Sequence, residues 1–264
     1  MKFEFLGFEI CDKVATITLN RPEVLNAIHP PMADELSQAW KQVRDDEDIW
    51  MAVLTGSGDR AFSAGSDLKW RSGQGEGVRD HNRREVLDLT QEGFQRGRDN
   101  WKPLIAAVNG YAVGGGLELV LGCDLVIAAD HAQFGLPEVR RGLMADGAGI
   151  HRLIRRLPYN IAMEMILTGE FIPALKALDF GLVNEVVPME KLGDTVDSWI
   201  ERVMKCAPLA LRASKEAAVQ GFEMPLFDAV ATIFPESERL YQSIDFVEGP
   251  KAFAEKREPI WLGK

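Results

Sequence analysis

Phe3, Phe5, Phe8 and Ile10 alternate loosely with polar positions and predict a first strand, and Val14–Leu19 predicts a second. Cys11-Asp12-Lys13 between them is short and polar, so a hairpin is expected. Asn20-Arg21-Pro22 ends the second strand. From 32 to 43 the apolar period becomes helical, with Leu36, Trp40 and Val43 on one stripe. Residues 50–55 return to strand and stop at Gly56-Ser57-Gly58-Asp59. The stretch 71–100 is polar, with Gly73, Gly75 and Gly77 near its start, and reads as a flexible loop leading into an exposed helix over about 79–98.

Leu104–Val108 is a continuous apolar run, expected as a buried strand. A glycine-rich turn and an apolar helical run, Leu117 to Leu121, follow it, then a strand over 125–128. Strand and helix signals alternate as far as Val187, which predicts α/β layers. From Met189 onward only helical patterns remain, at 191–205, Pro208–Gly221 and 225–241, with Pro208 and Pro225 suited to helix first turns. Gly249-Pro250 is expected to interrupt the last part, with one more helix over 252–257. The division expected is a core over 1–195 and a helical region over 196–264; an all-helical tail on an α/β core often packs on a neighbouring subunit, which the pattern of residues does not by itself establish.

Composition narrows the function. A chain of 264 residues, 46% hydrophobic and 27% charged, can bury a full core as one large globular domain. The net charge of −10 argues against broad binding to nucleic acid or a membrane surface. Cys11, Cys123 and Cys206 are odd in number and scattered, which suggests a reducing compartment without a disulfide framework. With no signal-like start and no long apolar run, a cytoplasmic location is the expectation.

The segment with most chemistry in it is Asn109-Gly110-Tyr111-Ala112-Val113-Gly114-Gly115-Gly116-Leu117-Glu118. Glycine lets a ligand approach the backbone, and N–H groups that open a helix have no intrahelical acceptor. Such a turn can hold negative charge. It is no phosphate fingerprint, since neither a full G-x-G-x-x-G nor Gly-Lys-Ser/Thr is present. Glu118 falls in the first turn of the helix, and Glu138 follows twenty residues on, in Phe134-Gly135-Leu136-Pro137-Glu138. Alone, Glu118 reads first as the structural acid that a helix's first turn favours, and Glu138 could simply be a solvated loop charge. Taken together, an anion-binding turn beside two carboxylates suggests an enzyme that stabilises an oxyanion and moves protons. A second small-residue turn, Ala61-Phe62-Ser63-Ala64-Gly65-Ser66-Asp67-Leu68-Lys69, also follows a strand. Near the C-terminus Phe253 and Lys256 could contact an adenine or a phosphate, or could simply end a solvated helix. His29, His81, His131 and His151 lack metal-ligand spacing, as do the cysteines, and no G-x-S-x-G elbow is present.

These segments, in this order, resemble the enoyl-CoA hydratase/isomerase (crotonase) superfamily across essentially the whole chain. The resemblance includes Thr18-Leu19-Asn20-Arg21-Pro22 with Asn26-Ala27, the two turns just described, the Glu138 segment, and Glu248-Gly249 with Ala252-Phe253 and Glu255-Lys256-Arg257. It implies a crotonase-like spiral of ββα units whose C-terminal helical region trimerises, often as a dimer of trimers, so a homotrimer or hexamer. An acyl-CoA substrate is implied, with coenzyme A part of it and no metal or redox cofactor. The oxyanion hole falls on the N–H groups of Ser66 and Gly115. Ala64, Ser66, Leu68 and Lys69 match the coenzyme A loop, while Phe253 and Lys256 match positions that reach a neighbouring subunit's coenzyme A. Both acid/base glutamates of true hydratases are present, as Glu118 and Glu138. The implied reaction is hydration of a trans-2-enoyl-CoA. Isomerisation through Glu138 alone is the rival, and an RNA-binding relative is disfavoured by the −10 charge. Ala145, Asp146 and Ala148 depart from the usual hydratase pattern, and Asp146 resembles the carnitinyl-CoA dehydratase branch.

Overall fold

A computed structural model describes residues 3–73 and 100–264 of the chain. Asp12 and Lys13 both adopt left-handed backbone, φ 46° and 69°, the twist that suits a two-residue hairpin. They join β1 (Leu6–Cys11) to β2 (Val14–Leu19), antiparallel from Leu6↔Leu19 to Cys11↔Val14. The strand expected from Phe3 therefore starts at Leu6. Phe5 is taken up instead by the carboxylate of Glu35, whose Oε2 accepts its N–H at 2.8 Å. Helix α1 (Pro30–Asp45) buries Met32, Leu36, Trp40 and Val43 on the predicted stripe. Its last carbonyls accept the buried Lys102 ammonium, at 2.7 Å from Val43 O and 2.6 Å from Asp46 O.

A repeated unit follows, in which a long strand, a short strand and a helix succeed one another. Strands β3 (Met51–Gly56) and β4 (Ala61–Ser63) lead into α2 (Leu68–Gly73), and β5 (Leu104–Val108) and β6 (Tyr111–Val113) lead into α3 (Gly115–Gly122). Next come β7 (Leu125–Ala129), β8 (Gln133–Gly135), a 3-10 turn over Pro137–Arg141, α4 (Gly149–Arg156), α5 (Tyr159–Thr168), β9 (Ile172–Pro173), α6 (Ala174–Asp179) and β10 (Glu185–Val187). The five long strands and the three-residue β10 form one six-stranded sheet, order β1-β2-β3-β5-β7-β10, and the remaining short strands a second, order β4-β6-β8-β9. This is the expected spiral. Strand β5 is buried along its whole length, as a parallel strand covered on both faces must be.

The short strands are where the sequence reading misses. The glycine turn does not run straight from β5 into a helix, because Tyr111–Val113 first pairs in parallel with Gln133–Gly135. Residues 71–73, expected in the polar loop, complete α2. The helix expected over 79–98 lies outside the described residues.

Five helices end the chain: α7 (Leu192–Met204), α8 (Pro208–Gly221), α9 (Leu226–Ala231), α10 (Pro235–Tyr241) and α11 (Ile244–Glu255). Helix α7 packs on β5 and β7. The single helix expected over 225–241 is two, since Pro235 opens a new helix at its first turn. Conversely, Gly249-Pro250 interrupts nothing, and α11 runs through both. The C-terminal tail holds it: Asp245 accepts the N–H groups of Leu262 and Gly263 at 2.8 and 2.9 Å, and Ile244 N–H donates to Lys264 O at 2.7 Å. A side chain at Gly249 would stand 3.3 Å from the Trp261 ring, so glycine there lets the tail lie on the helix.

Candidate active site

The turn after β4 is held from both sides. Ala64 N–H donates to Leu25 O at 2.9 Å and Gly65 N–H to Ser63 Oγ at 3.1 Å. Ile28 N–H donates to Gly65 O at 2.8 Å, and Asp67 N–H donates back to Ile28 O at 2.9 Å. This bridge leaves the main-chain groups of Ser66 facing the other way. Among residues 64–67 the Ser66 N–H is the one without an acceptor in the described hydrogen bonds. Ser66, Leu68 and Lys69 are exposed.

The second turn meets the first through backbone contact. Gly65 has φ 81°, and a Cβ there would stand 2.7 Å from both Gly115 N and Val113 O. A Cβ on Gly116 would stand 2.2 Å from Ser63 O, so that glycine lets α3 sit against β4. Gly114 has φ 57°, and a Cβ there would lie 2.8 Å from Glu138 Oε1. Gly115 is the first residue of α3, where an N–H has no intrahelical acceptor and the helix dipole is positive. Two N–H groups without an acceptor among the described residues, on Ser66 and Gly115, are thus carried on touching turns.

The two carboxylates meet at the same helix end. Glu118 is 5% exposed, and its Oε1 accepts the Gly149 N–H at 2.8 Å. Burial, aided by the charges of Glu138 and Asp146, pushes its pKa up to about 7, although the Gly149 bond opposes this. Glu138 stands on the 3-10 turn after β8. Burial raises its pKa too, with Asp146 adding to the shift and a hydrogen bond from its own backbone and the charge of Arg141 opposing it. Its Oε2 is buried without a hydrogen-bond partner among the described residues. The segment after Glu138 shapes this wall. A Cβ on Gly147 would stand 2.6 Å from Glu118 Oε2, and one on Gly149 2.9 Å from Glu118 Cγ.

Of the residues singled out from sequence, Ser66, Gly115, Glu118 and Glu138 come together, with Ala64 half-buried beside them. Leu68 and Lys69 lie on the first turn of α2. Phe253 and Lys256 do not join the group. They stand at the end of α11, which packs on α10, and Phe253 is 88% exposed. The Gly149 donor escaped the sequence reading, although a glycine eleven residues beyond Glu138 and flanked by Gly147 is a legible sign of close backbone approach. Among the described residues no His, Cys, Asp or Glu cluster is placed to hold a metal, and no helix is long and apolar enough to cross a membrane.

The family model described as enoyl-CoA hydratase/isomerase matches residues 9–264. The chain belongs to this family. Within it, the chain is 42% identical to the (E)-benzylidenesuccinyl-CoA hydratase of Thauera aromatica, with 97% of this chain and 98% of the relative covered. It is 40% identical to the carnitinyl-CoA dehydratase of Citrobacter koseri, with 99% of each covered. The crystal structure of an enoyl-CoA hydratase from Bacillus anthracis superposes with a TM-score of 0.91 at 32% identity, covering 99% of this chain and 100% of that one. Touching backbone turns that open on two carboxylates are therefore found here in a member of the enoyl-CoA hydratase/isomerase family.

Proposed function

We propose that this chain is a hydro-lyase that reversibly adds water to a trans-2-enoyl-CoA thioester. The observation that carries the reading is the pair of N–H groups without an acceptor among the described residues, Ser66 and Gly115, beside two carboxyls whose burial raises their pKa. The thioester oxygen accepts from both N–H groups, each contributing about 3 kcal/mol as negative charge develops there. Water adds through its oxygen to Cβ, giving up a proton to one carboxylate. The electron pair of the double bond moves through Cα to the thioester oxygen, and the other carboxyl then delivers a proton to Cα as the enolate collapses. Two neighbouring carboxyls share this work because burial and mutual repulsion keep a proton on the pair near neutral pH. Hydration leaves the oxidation state of the substrate unchanged, so no redox group is needed and no metal is invoked.

Ala64, Ser66, Leu68 and Lys69 hold the coenzyme A portion in this reading. Phe253 and Lys256 serve a neighbouring subunit's site in a homotrimer or a dimer of trimers. The apolar surface of the last helices supports assembly: Leu226, Phe227 and Val230 are 74%, 88% and 77% exposed, more than an isolated chain ordinarily leaves to water. Sedimentation analysis should show three or six chains, and a monodisperse monomer would remove this part of the proposal.

Asp146 favours a second reading, a carnitinyl-CoA dehydratase-type substrate with a cationic β-substituent. Its negative charge acts on both glutamates, and a carboxylate at that wall favours a cation and opposes a second carboxylate. The deciding assay offers crotonyl-CoA, longer enoyl-CoAs, 3-enoyl-CoA and crotonobetainyl-CoA to the wild type and to Glu118→Gln. A hydratase loses activity in the variant, whereas an isomerase working through Glu138 alone keeps most of it. Turnover of none of the four removes the hydro-lyase proposal.

A further inference from the structure

We infer that Arg21 is a positioning residue that aims the Ser66 N–H, acting through Asp67. The inference rests on Ser66 being a donor to the thioester oxygen, as proposed above. Every other N–H of residues 64–67 is tied to an acceptor, so the direction of the Ser66 N–H follows from the anchors on either side. On the near side these are Ala64 and Gly65. On the far side the anchor is Asp67, and Arg21 fixes it.

Arg21 sits 46 positions before Asp67 and is itself locked. Its N–H donates to Asn26 Oδ1 at 3.0 Å and its carbonyl accepts the Asn26 N–H at 2.9 Å. Leu25 and Asn26 carry the chain through left-handed backbone, φ 56° and 53°, folding 21–28 back on itself. Arg21 Nη1 then reaches Ala27 O at 2.7 Å and Asp67 Oδ2 at 3.0 Å, with the two side chains only 15% and 11% exposed. The other oxygen of Asp67 accepts Trp70 N–H at 3.0 Å, fixing the start of α2 as well. One guanidinium nitrogen thus pins the bridge partner Ile28, through the adjacent carbonyl, and the residue that follows Ser66. A charged, largely desolvated pair holds its geometry more tightly than a surface pair, and losing one partner strands the other.

The test uses the intact enzyme and 4-(dimethylamino)cinnamoyl-CoA, a chromophore whose absorption moves to the red when its carbonyl is polarised. Arg21→Ala and Asp67→Asn should each lower kcat for crotonyl-CoA about ten- to a hundredfold, the scale expected when a reacting geometry shifts without losing a group. KM should move far less, and the red shift of the bound chromophore should shrink in parallel. The double variant should be no worse than the more damaged single one, because both act through one link. Arg21→Ala with a lowered Tm but wild-type kcat and red shift would overturn the inference, leaving the pair a stabilising ion pair. Where Arg21→Ala does not fold, the near-isosteric Asp67→Asn decides by the same two readouts. A wild-type enzyme that binds the chromophore without any red shift sinks the reading of Ser66 itself, an outcome distinct from failure of the Arg21 link.

Discussion

The two halves of the site are built by opposite means. On the side proposed to hold the oxyanion the groups are main-chain N–H groups, which cannot titrate and are flanked by neighbours whose hydrogen bonds are complete. On the side proposed for acid–base work the groups are side chains left short of partners: among the described residues Glu118 has one backbone donor and Glu138 Oε2 has none. Satisfied hydrogen bonds give the first half its rigidity. Unsatisfied, desolvated oxygens give the second half its raised proton affinity. A site of this kind should fail in two distinguishable ways, by loss of protons on one side and by loss of aim on the other.

The largest effect should come from the carboxylate side. Glu118→Gln and Glu138→Gln each keep the shape of the side chain and remove its proton exchange, so kcat for hydration should fall about 10²–10⁴-fold with little change in thioester binding. Activity retained within tenfold in either variant would remove that residue from the acid/base pair.

Loss of aim should follow from Gly65→Ala. The new methyl would enter at 2.7 Å from Gly115 N and Val113 O, on a backbone whose φ of 81° already disfavours an L side chain. The two turns must separate, and roughly a hundredfold of kcat should go with them. Unlike the glutamine variants, this one should leave the pH dependence of the remaining activity unchanged. A shifted pH profile would mean that the two halves are coupled.

The third prediction is thermodynamic. Glu118 has its folded pKa raised from 4.5 to about 7, so between those values the folded chain binds more protons than the unfolded one. Stability contributed by Glu118 therefore falls as pH rises through this window, and above about 7 the ionised carboxylate carries the whole burial penalty, on the order of 3 kcal/mol. Glu118→Gln should melt higher than wild type at pH 8, and the difference should disappear towards pH 4.5. Equal melting at both ends would show that the buried carboxyl is solvated better than its surroundings imply.

How far the sequence foretold this arrangement depends on the length of each signal. Five consecutive apolar residues announced β5, and the glycines after it announced a turn with free N–H groups. Strands β4, β6 and β8 have three residues each, too few to show a period of two, so the second sheet that positions both turns went unseen. Pro235 opens a new helix at its first turn as a proline can, whereas Pro250 stands inside α11, where tail contacts over Asp245 outweigh one missing N–H. The glutamates were found as residue types in a pattern. That Glu118 leans on Gly149, and that Asn20–Ile28 dictates which N–H of the next turn stays free, are contacts across tens of residues that no local window contains.

The smallest predicted effect bears on whether Glu118 needs rigidity too. Ala148 caps α4 with φ 79°, a left-handed conformation that costs an alanine about 1 kcal/mol. The next residue, Gly149, supplies the one donor to Glu118 among the described residues. Ala148→Gly relieves the strain but adds freedom to the unfolded chain, so a net gain of about 0.5 kcal/mol, or one to two degrees in Tm, is expected. If the carboxylate side tolerates looseness, kcat should stay within about twofold, because Gly149 N–H still faces Glu118 once the backbone has no Cβ to avoid. A raised Tm joined to a tenfold fall in kcat would give the opposite answer. Alanine would then be holding the donor in place, and the carboxylate side would depend on enforced backbone geometry as much as the oxyanion side does.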